Sequence, residues 1–310
     1  MKIGLIDVDG HNFPNLPLMK LSSWHKKQGD SVEWYQPLFS GHLDRVYMSK
    51  VFSFTPDYEY PINADEIIRG GSGYAIKLQD GKEQYCHGVD HDLPDEIEHI
   101  YPDYGLYPDY TKDTAYGFLS RGCPRGCGFC HVAAKEGKRS RKVADLSEFW
   151  NGQKNIVLLD PNITACPECV DLLNQLIQSG AHVEFNQGLD NRVMTAEKAE
   201  LIRRIKVKRV HFAWDRYQDK EMIVPRFQEF QRVTGWNRTK MTVYVLVNFE
   251  TTLEQDLERI YTLRDMGYQP DVRIYNKTAL PKGHVLRRLQ RYVNAPWIFN
   301  SIKSFDEYKP

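Results

Sequence analysis

Cys123, Cys127 and Cys130 stand in the run Arg121-Gly-Cys-Pro-Arg-Gly-Cys-Gly-Phe-Cys-His131, directly after a short apolar stretch that reads as a strand. A tight C-x3-C-x2-C turn offers three thiolates to one point and no obvious fourth. Sulfur-rich sets select zinc, copper(I) or iron–sulfur clusters. A closed structural site normally shows four protein ligands, whereas a site with one open position suits chemistry at the metal. His131 could complete a Cys3His zinc site, although adjacent residues rarely both reach one tetrahedral ion. A disulfide is the weaker alternative. Six cysteines in 310 residues, clustered and with no apolar leader at the start, fit a reducing compartment, so a cytoplasmic protein is expected.

The elements that must position these thiols follow a repeated unit. From residue 115 onward a short apolar strand, one or two polar residues and an amphipathic helix recur. The strands are predicted at 115–119, 156–159, 183–185, 210–213, 242–247 and 272–275. They start about 30 residues apart, the spacing of β-α units on a parallel sheet. Pro167 and Gly180 bracket an apolar face of Leu172, Leu173, Leu176 and Ile177. Thr251 and Glu254 have the spacing of a capping box ahead of Leu253, Leu257, Ile260 and Leu263, and Gly267 stops that helix. Six such units make either a partial barrel or an open doubly wound sheet. Both place working residues at the carboxyl ends of the strands.

Those positions carry a polar set. Asp160 and Asn162 follow the second strand, and Asn186, Gln187, Asp190 and Arg192 follow the third. Trp214, Asp215 and Arg216 follow the fourth, Asn248 and Glu250 the fifth, Asn276 and Lys277 the sixth. Converging donors and acceptors of this kind can hold a polar small molecule. Asp and Asn in β-α loops also cap the next helix, so about half of the set is expected to be caps or solvent-facing.

The cysteine spacing, the aromatic Phe129 before the third cysteine and the surrounding glycines resemble the signature of the radical S-adenosylmethionine superfamily. The resemblance implies an α/β chain with a partial (β/α)6 barrel. It also implies a [4Fe-4S] cluster on Cys123, Cys127 and Cys130, with S-adenosylmethionine on the open iron and its adenine near Phe129. Reductive cleavage would yield a 5′-deoxyadenosyl radical acting on an unassigned substrate, with flavodoxin or ferredoxin as reductant. Asp160, Asn162, Gln187, Asp190, Arg192, Asp215 and Asn248 then become candidate cofactor contacts. The run Phe185-Asn-Gln-Gly-Leu-Asp-Asn-Arg192 is similar to third-strand segments of such enzymes, and Lys138–Val143 to their basic segment after the cysteines. The Gly-Gly-Glu usual after the second strand is here Leu159-Asp-Pro-Asn162, which makes Asp160 the substitute for the methionine amino contact.

Residues 1–80 read as a separate Rossmann-like domain: strand 2–7, helix 16–28, then strands 32–35, 45–47 and 66–68, followed by Gly70-Gly-Ser-Gly73, where a flat ligand could approach the backbone. Its place ahead of the cysteines resembles the cobalamin-binding domain of many radical S-adenosylmethionine proteins. Asp9-Gly-His11 matches the start of their Asp-x-His-x-x-Gly, but the last position is Pro14. A lid or docking domain is therefore expected in preference to cobalamin binding. Residues 81–112, rich in Tyr, Asp, Pro and His, read as an ordered connection without helical or strand periodicity, and 113–310 as the barrel.

Other features bound the alternatives. Lys plus Arg equals Asp plus Glu at 41 each, so no global pull toward nucleic acid or anionic lipid exists. No apolar run of about 18 residues occurs, so no membrane partner is expected. Cys166-Pro-Glu-Cys169 opens a helix, where thiols can be redox-active or hold an auxiliary cluster; two small packing residues are the plainer reading. A zinc-stabilised nucleic-acid-binding protein using the same cysteines structurally is the rival class, and a non-catalytic scaffold of the same fold is another.

Overall fold

A computed structural model describes residues 1–79, 82–89 and 92–309. Gly81, Asp90 and His91 of the expected connection, with Asp80 and Pro310, lie outside the described residues. The chain packs as two compact units, Met1–Arg139 with Val143–Val157, and Ser140–Lys142 with Leu158–Pro310. Both are α/β with parallel pairing. No helix of the described residues is long and apolar enough to cross a membrane.

The first unit is built on β1 (Lys2–Asp7), β2 (Ser31–Trp34), β3 (Leu43–Ser49) and β4 (Ala64–Gly70), all parallel in the order β2-β1-β3-β4. Side chains alternate across the sheet. Ile3 and Leu5 pack with Leu18, Leu21 and Tyr47 on one side, while Ile6 packs with Tyr35, Leu43, Val46 and Met48 on the other. The helix α1 (Leu16–Lys27) joins β1 to β2; Asn15 caps it by accepting from the Leu18 N–H, and His25, Lys26 and Lys27 sit in its last turn, where the helix dipole favours cations. The later connections, residues 35–42 and 50–63, are loops. The helix layer expected of a Rossmann-like domain is thus present at one connection, and Tyr58 and Ile62 of the last loop cover the other face.

The glycine run after β4 serves packing. A Cβ on Gly71 would stand 2.3 Å from the Lys50 carbonyl oxygen, and one on Gly73 would stand 2.8 Å from that of Phe52. At Gly71 and Gly73 the close approach is that of the chain's own backbone. Beyond it come α2 (Ser72–Ala75) and a hairpin of β5 (Ile76–Gln79) with β6 (Lys82–Tyr85). Then follow α3 (Asp95–Glu98) and α4 (Pro108–Thr111). The connection read as without helical or strand periodicity therefore holds β6, α3 and α4, each four residues long, and a 3-10 turn at Tyr104–Leu106, all too short to display a period. It is pinned by Tyr104, whose hydroxyl donates to the Phe149 carbonyl at 2.6 Å and accepts from the Tyr116 N–H at 3.1 Å. The cysteine segment follows β7 (Thr114–Gly117) and β8 (Ser120–Arg121) and leads into α5 (Val132–Glu136).

Past β9 (Arg141–Lys142) the chain enters the second unit for good through β10 (Asn155–Leu158). There α6 (Cys169–Ser179), β11 (His182–Phe185), α7 (Ala196–Arg204), β12 (Lys206–Val207) and β13 (Val210–Ala213) alternate. They are followed by α8 (Lys220–Thr234), β14 (Met241–Val247), α9 (Leu253–Asp265), β15 (Gln269–Ile274), α10 (Val285–Asn294) and α11 (Pro296–Ser301). β11 pairs parallel with β12, and β13, β14 and β15 form a parallel sheet in that order. A bridge between Leu189 and Phe212 extends the pairing from the loop after β11. Gly180 ends α6 in the left-handed conformation at φ 65°, and Gly267 follows α9 at φ 81°. The capping box lies one residue beyond its expected place: Thr252 and Gln255 form it, not Thr251 and Glu254. Thr252 is the residue that is extended, with its hydroxyl accepting the Gln255 N–H.

Candidate functional site

The cysteine loop, wholly in the first unit, is fastened at its base. Gly122 donates its N–H to the Glu136 carboxylate at 3.0 Å, and Cys123 donates to the Gly137 carbonyl at 3.2 Å. Gly122 sits at φ 87° with the Arg139 carbonyl oxygen 2.1 Å from where a Cβ would be, so only glycine lets the two strands of the loop touch. Arg121 ties the base further, with its guanidinium 3.9 Å from the Phe118 ring centroid and ion pairs of 3.4 Å to Glu136 and 3.3 Å to Glu98. Inside the loop the Cys130 N–H closes a turn on the Cys127 carbonyl at 3.0 Å. Cys123, Cys127 and Phe129 are half-buried, Cys130 is exposed, and none of the six cysteines forms a disulfide. Among the described residues no three His, Cys, Asp or Glu side chains are gathered as a ready metal set. The donor chemistry nevertheless fits a thiolate-held cluster: three thiols on one short loop, reachable from solvent, with the loop ends fixed.

In the second unit three of the polar residues predicted at the strand ends, Asn162, Asp190 and Arg192, form a connected chain. Asn162 donates to Asp190 at 3.1 Å; Asp190 accepts from Arg192 Nε at 2.7 Å; Arg192 reaches on to Asp219 at 3.4 Å. Thr164, not singled out by its sequence position, knits the same loops by donating to Asn162 Oδ1 at 3.1 Å and accepting from the Asp190 N–H at 3.0 Å. Asn162 and Asp190 each also cap a turn, accepting from the N–H groups of Ala165 and Arg192. Asp160 is buried at 3% exposure. Burial pushes the Asp215 carboxyl up to about 6, against the pull of Arg192 and Arg259. Gln187 and Asn248 are exposed and stand outside the chain from Asn162 to Asp219.

Backbone conformation marks the same edge. Among the described residues, the non-glycine residues with positive φ are Asn248 (66°), Glu250 (54°) and Asn276 (49°), all just past the carboxyl ends of β14 and β15. Left-handed backbone at a residue other than glycine is uncommon and clusters at functional loops. Asn248 is held by donating to the Tyr275 carbonyl at 2.9 Å, which joins the two loops.

Cys166 and Cys169 have the environment of packing residues. They are 3% and 1% exposed, and burial pushes their thiols up to about 12 and about 11. Burial thus disfavours the free thiolate that redox duty would use.

One feature escaped the sequence. In the first unit Asp7 is 8% exposed, accepts from the Tyr107 hydroxyl at 2.8 Å, and borders a cavity of about 560 Å3 shared with Trp34, Tyr35 and Tyr58. These residues come from four separate segments, so no local pattern joins them. No family model matches this chain, and no curated protein matches it.

Proposed function

We propose that the protein is a radical S-adenosylmethionine enzyme whose Cys123, Cys127 and Cys130 hold a [4Fe-4S] cluster, and whose β-α units close as a partial (β/α)6 barrel. When bound, such a cluster supplies the electron that splits S-adenosylmethionine to a 5′-deoxyadenosyl radical. A flavodoxin or ferredoxin would deliver that electron, and the substrate is unassigned. The observation that carries the reading is the three-thiol loop, with its C-x3-C-x2-C spacing and its base fixed by Gly122 and Glu136. Phe129 offers an aromatic surface beside the third thiol for the adenine.

The polar residues past β10 to β14 supply complementary groups. Arg192 suits a carboxylate, because a guanidinium pairs with two oxygens at once. Asp160 suits an ammonium, and Asn162, Asp190 and Asn248 offer amide or carboxylate partners for ribose hydroxyls. Gln187 and Asp215 complete the set. Asp215, partly neutral near its raised pKa, can donate as well as accept.

Iron and acid-labile sulfide assayed after anaerobic purification test the proposal, together with 5′-deoxyadenosine formed on adding reductant and S-adenosylmethionine. About four of each per chain, with nucleoside released, is the expected result. Replacing the three cysteines by alanine is expected to abolish both. One zinc and no sulfide would replace this reading by that of a zinc-stabilised nucleic-acid-binding protein.

A further inference from the structure

The cavity in the first unit has chemistry of its own. It lies outside the carboxyl ends of parallel strands, the side on which such sheets take ligands. Its walls are the carboxyl ends of β1 and β2, His11, and the loop Pro56–Tyr60 after β3. Trp34, Tyr35, Tyr58 and Tyr60 supply rings, with Tyr58 standing 6.4 Å from Tyr35 and 5.6 Å from Tyr60 between centroids. The Tyr35 hydroxyl fixes that loop by donating to the Pro61 carbonyl and accepting from the Asn63 N–H, both at 3.0 Å.

Charge in the lining has one sign. Asp7, Asp57 and Glu59 line the cavity, and among the described residues no Lys or Arg lines it. Burial holds the His11 imidazole below its ordinary pKa, so at neutral pH it adds no positive charge. Phosphates and carboxylates would meet repulsion here. Asp57 is already engaged with the Tyr58 N–H at 2.9 Å and the Tyr74 hydroxyl at 2.6 Å. Asp7 is different: its Oδ2 takes the Tyr107 hydroxyl, while Oδ1 is buried without a hydrogen-bond partner, as is the Tyr58 hydroxyl. A buried acceptor left unpaired costs about 1–3 kcal/mol, more when charged, which favours a positive charge nearby.

We propose that this cavity binds a small organic cation, a protonated amine or amidine on an aromatic body, whose charge is drawn by the Asp7 carboxylate and rests against the rings of Trp34, Tyr58 and Tyr60. Aromatic faces attract such cations, most strongly where water is excluded. A volume of about 560 Å3, open on one side, has room for a ligand of one or two fused rings. The cysteine loop takes no part, so the proposal stands or falls apart from the radical chemistry.

Titration calorimetry with three probes sharing one ring system decides it: tryptamine as the cation, tryptophol as the neutral form and indole-3-acetate as the anion. Tryptamine is expected to bind with a dissociation constant below about 1 mM, at least about tenfold tighter than tryptophol, with indole-3-acetate weakest. Asp7→Asn is expected to weaken tryptamine about tenfold or more and to close the gap between tryptamine and tryptophol. Tyr60→Ala, at a ring 67% exposed, is expected to weaken tryptamine about threefold without lowering the melting temperature. Equal binding of the three probes, no binding of tryptamine, or an unchanged Asp7→Asn would overturn the proposal. Should Asp7→Asn fail to fold, the probe series and Tyr60→Ala still decide.

Discussion

At the scale of single residues, Gly122 is the position on which the cysteine loop turns. Its φ of 87° and its 2.1 Å approach to the Arg139 carbonyl leave no room for a side chain. Gly122→Ala therefore meets two penalties, left-handed strain of about 1–3 kcal/mol and a backbone displacement. The variant is expected to bind less than half as much iron as the parent after identical anaerobic reconstitution, while far-ultraviolet circular dichroism stays unchanged. Full iron retention would mean that the loop base does not set the thiol positions. The contrast with Gly126, where an added Cβ meets nothing within 4 Å despite a φ of 57°, gives the control: Gly126→Asn should load iron normally. The three thiols were legible because their spacing is local. Asp7, Trp34, Tyr58 and Tyr107 were not, because their chemistry exists only once β1, β2 and two loops are brought together.

At the scale of elements, the β-α alternation was legible to within a few residues. Strand β13 and the first strand fall where apolar runs placed them, since buried parallel strands are short continuous apolar stretches with glycine or proline between them. What resisted were pieces too short to show a period, such as α3 and the β5–β6 hairpin, and the glycines of 70–73, whose partner Lys50 is some 20 residues away. Arg259 was also missed, a charged residue in α9 with no exposed surface. Its guanidinium donates to the carbonyls of Trp214 at 2.5 Å and Leu246 at 2.8 Å and pairs with Asp256 at 2.6 Å, clamping α9 to the ends of β13 and β14. Removing one partner of such a pair strands the other charge in the core. Arg259→Leu is expected to cost about 3–5 kcal/mol in urea unfolding, and adding Asp256→Leu to restore part of that loss. A single change under about 1 kcal/mol would show that the clamp is dispensable.

At the scale of the whole molecule, buried carboxyls in both units set how stability follows pH. Burial raises Asp7 in the first unit and Asp215 in the second from 3.8 to about 6 each, and raises Asp256 and Asp271 in direction. A carboxyl with a raised folded pKa binds its proton more tightly folded than unfolded. Its stabilising effect is complete below about pH 4 and is lost as pH climbs through about 6. Each full shift is worth on the order of 3 kcal/mol, and less at Asp7, which borders open space. His11 and His211 oppose this, since burial lowers both and acidification below their ordinary pKa favours the unfolded chain. Groups such as Asp103, where bonds from Lys26 and Ser22 outweigh burial, add a loss of stability only below about pH 4. Unfolding free energy is thus expected to peak near pH 5, and the histidines are common to parent and variant. An Asp7→Asn/Asp215→Asn double variant should therefore gain at least about 1 kcal/mol less than the parent between pH 7 and pH 5 in urea titrations. Parallel pH profiles for the two proteins would mean that neither carboxyl is held in its neutral form by the fold.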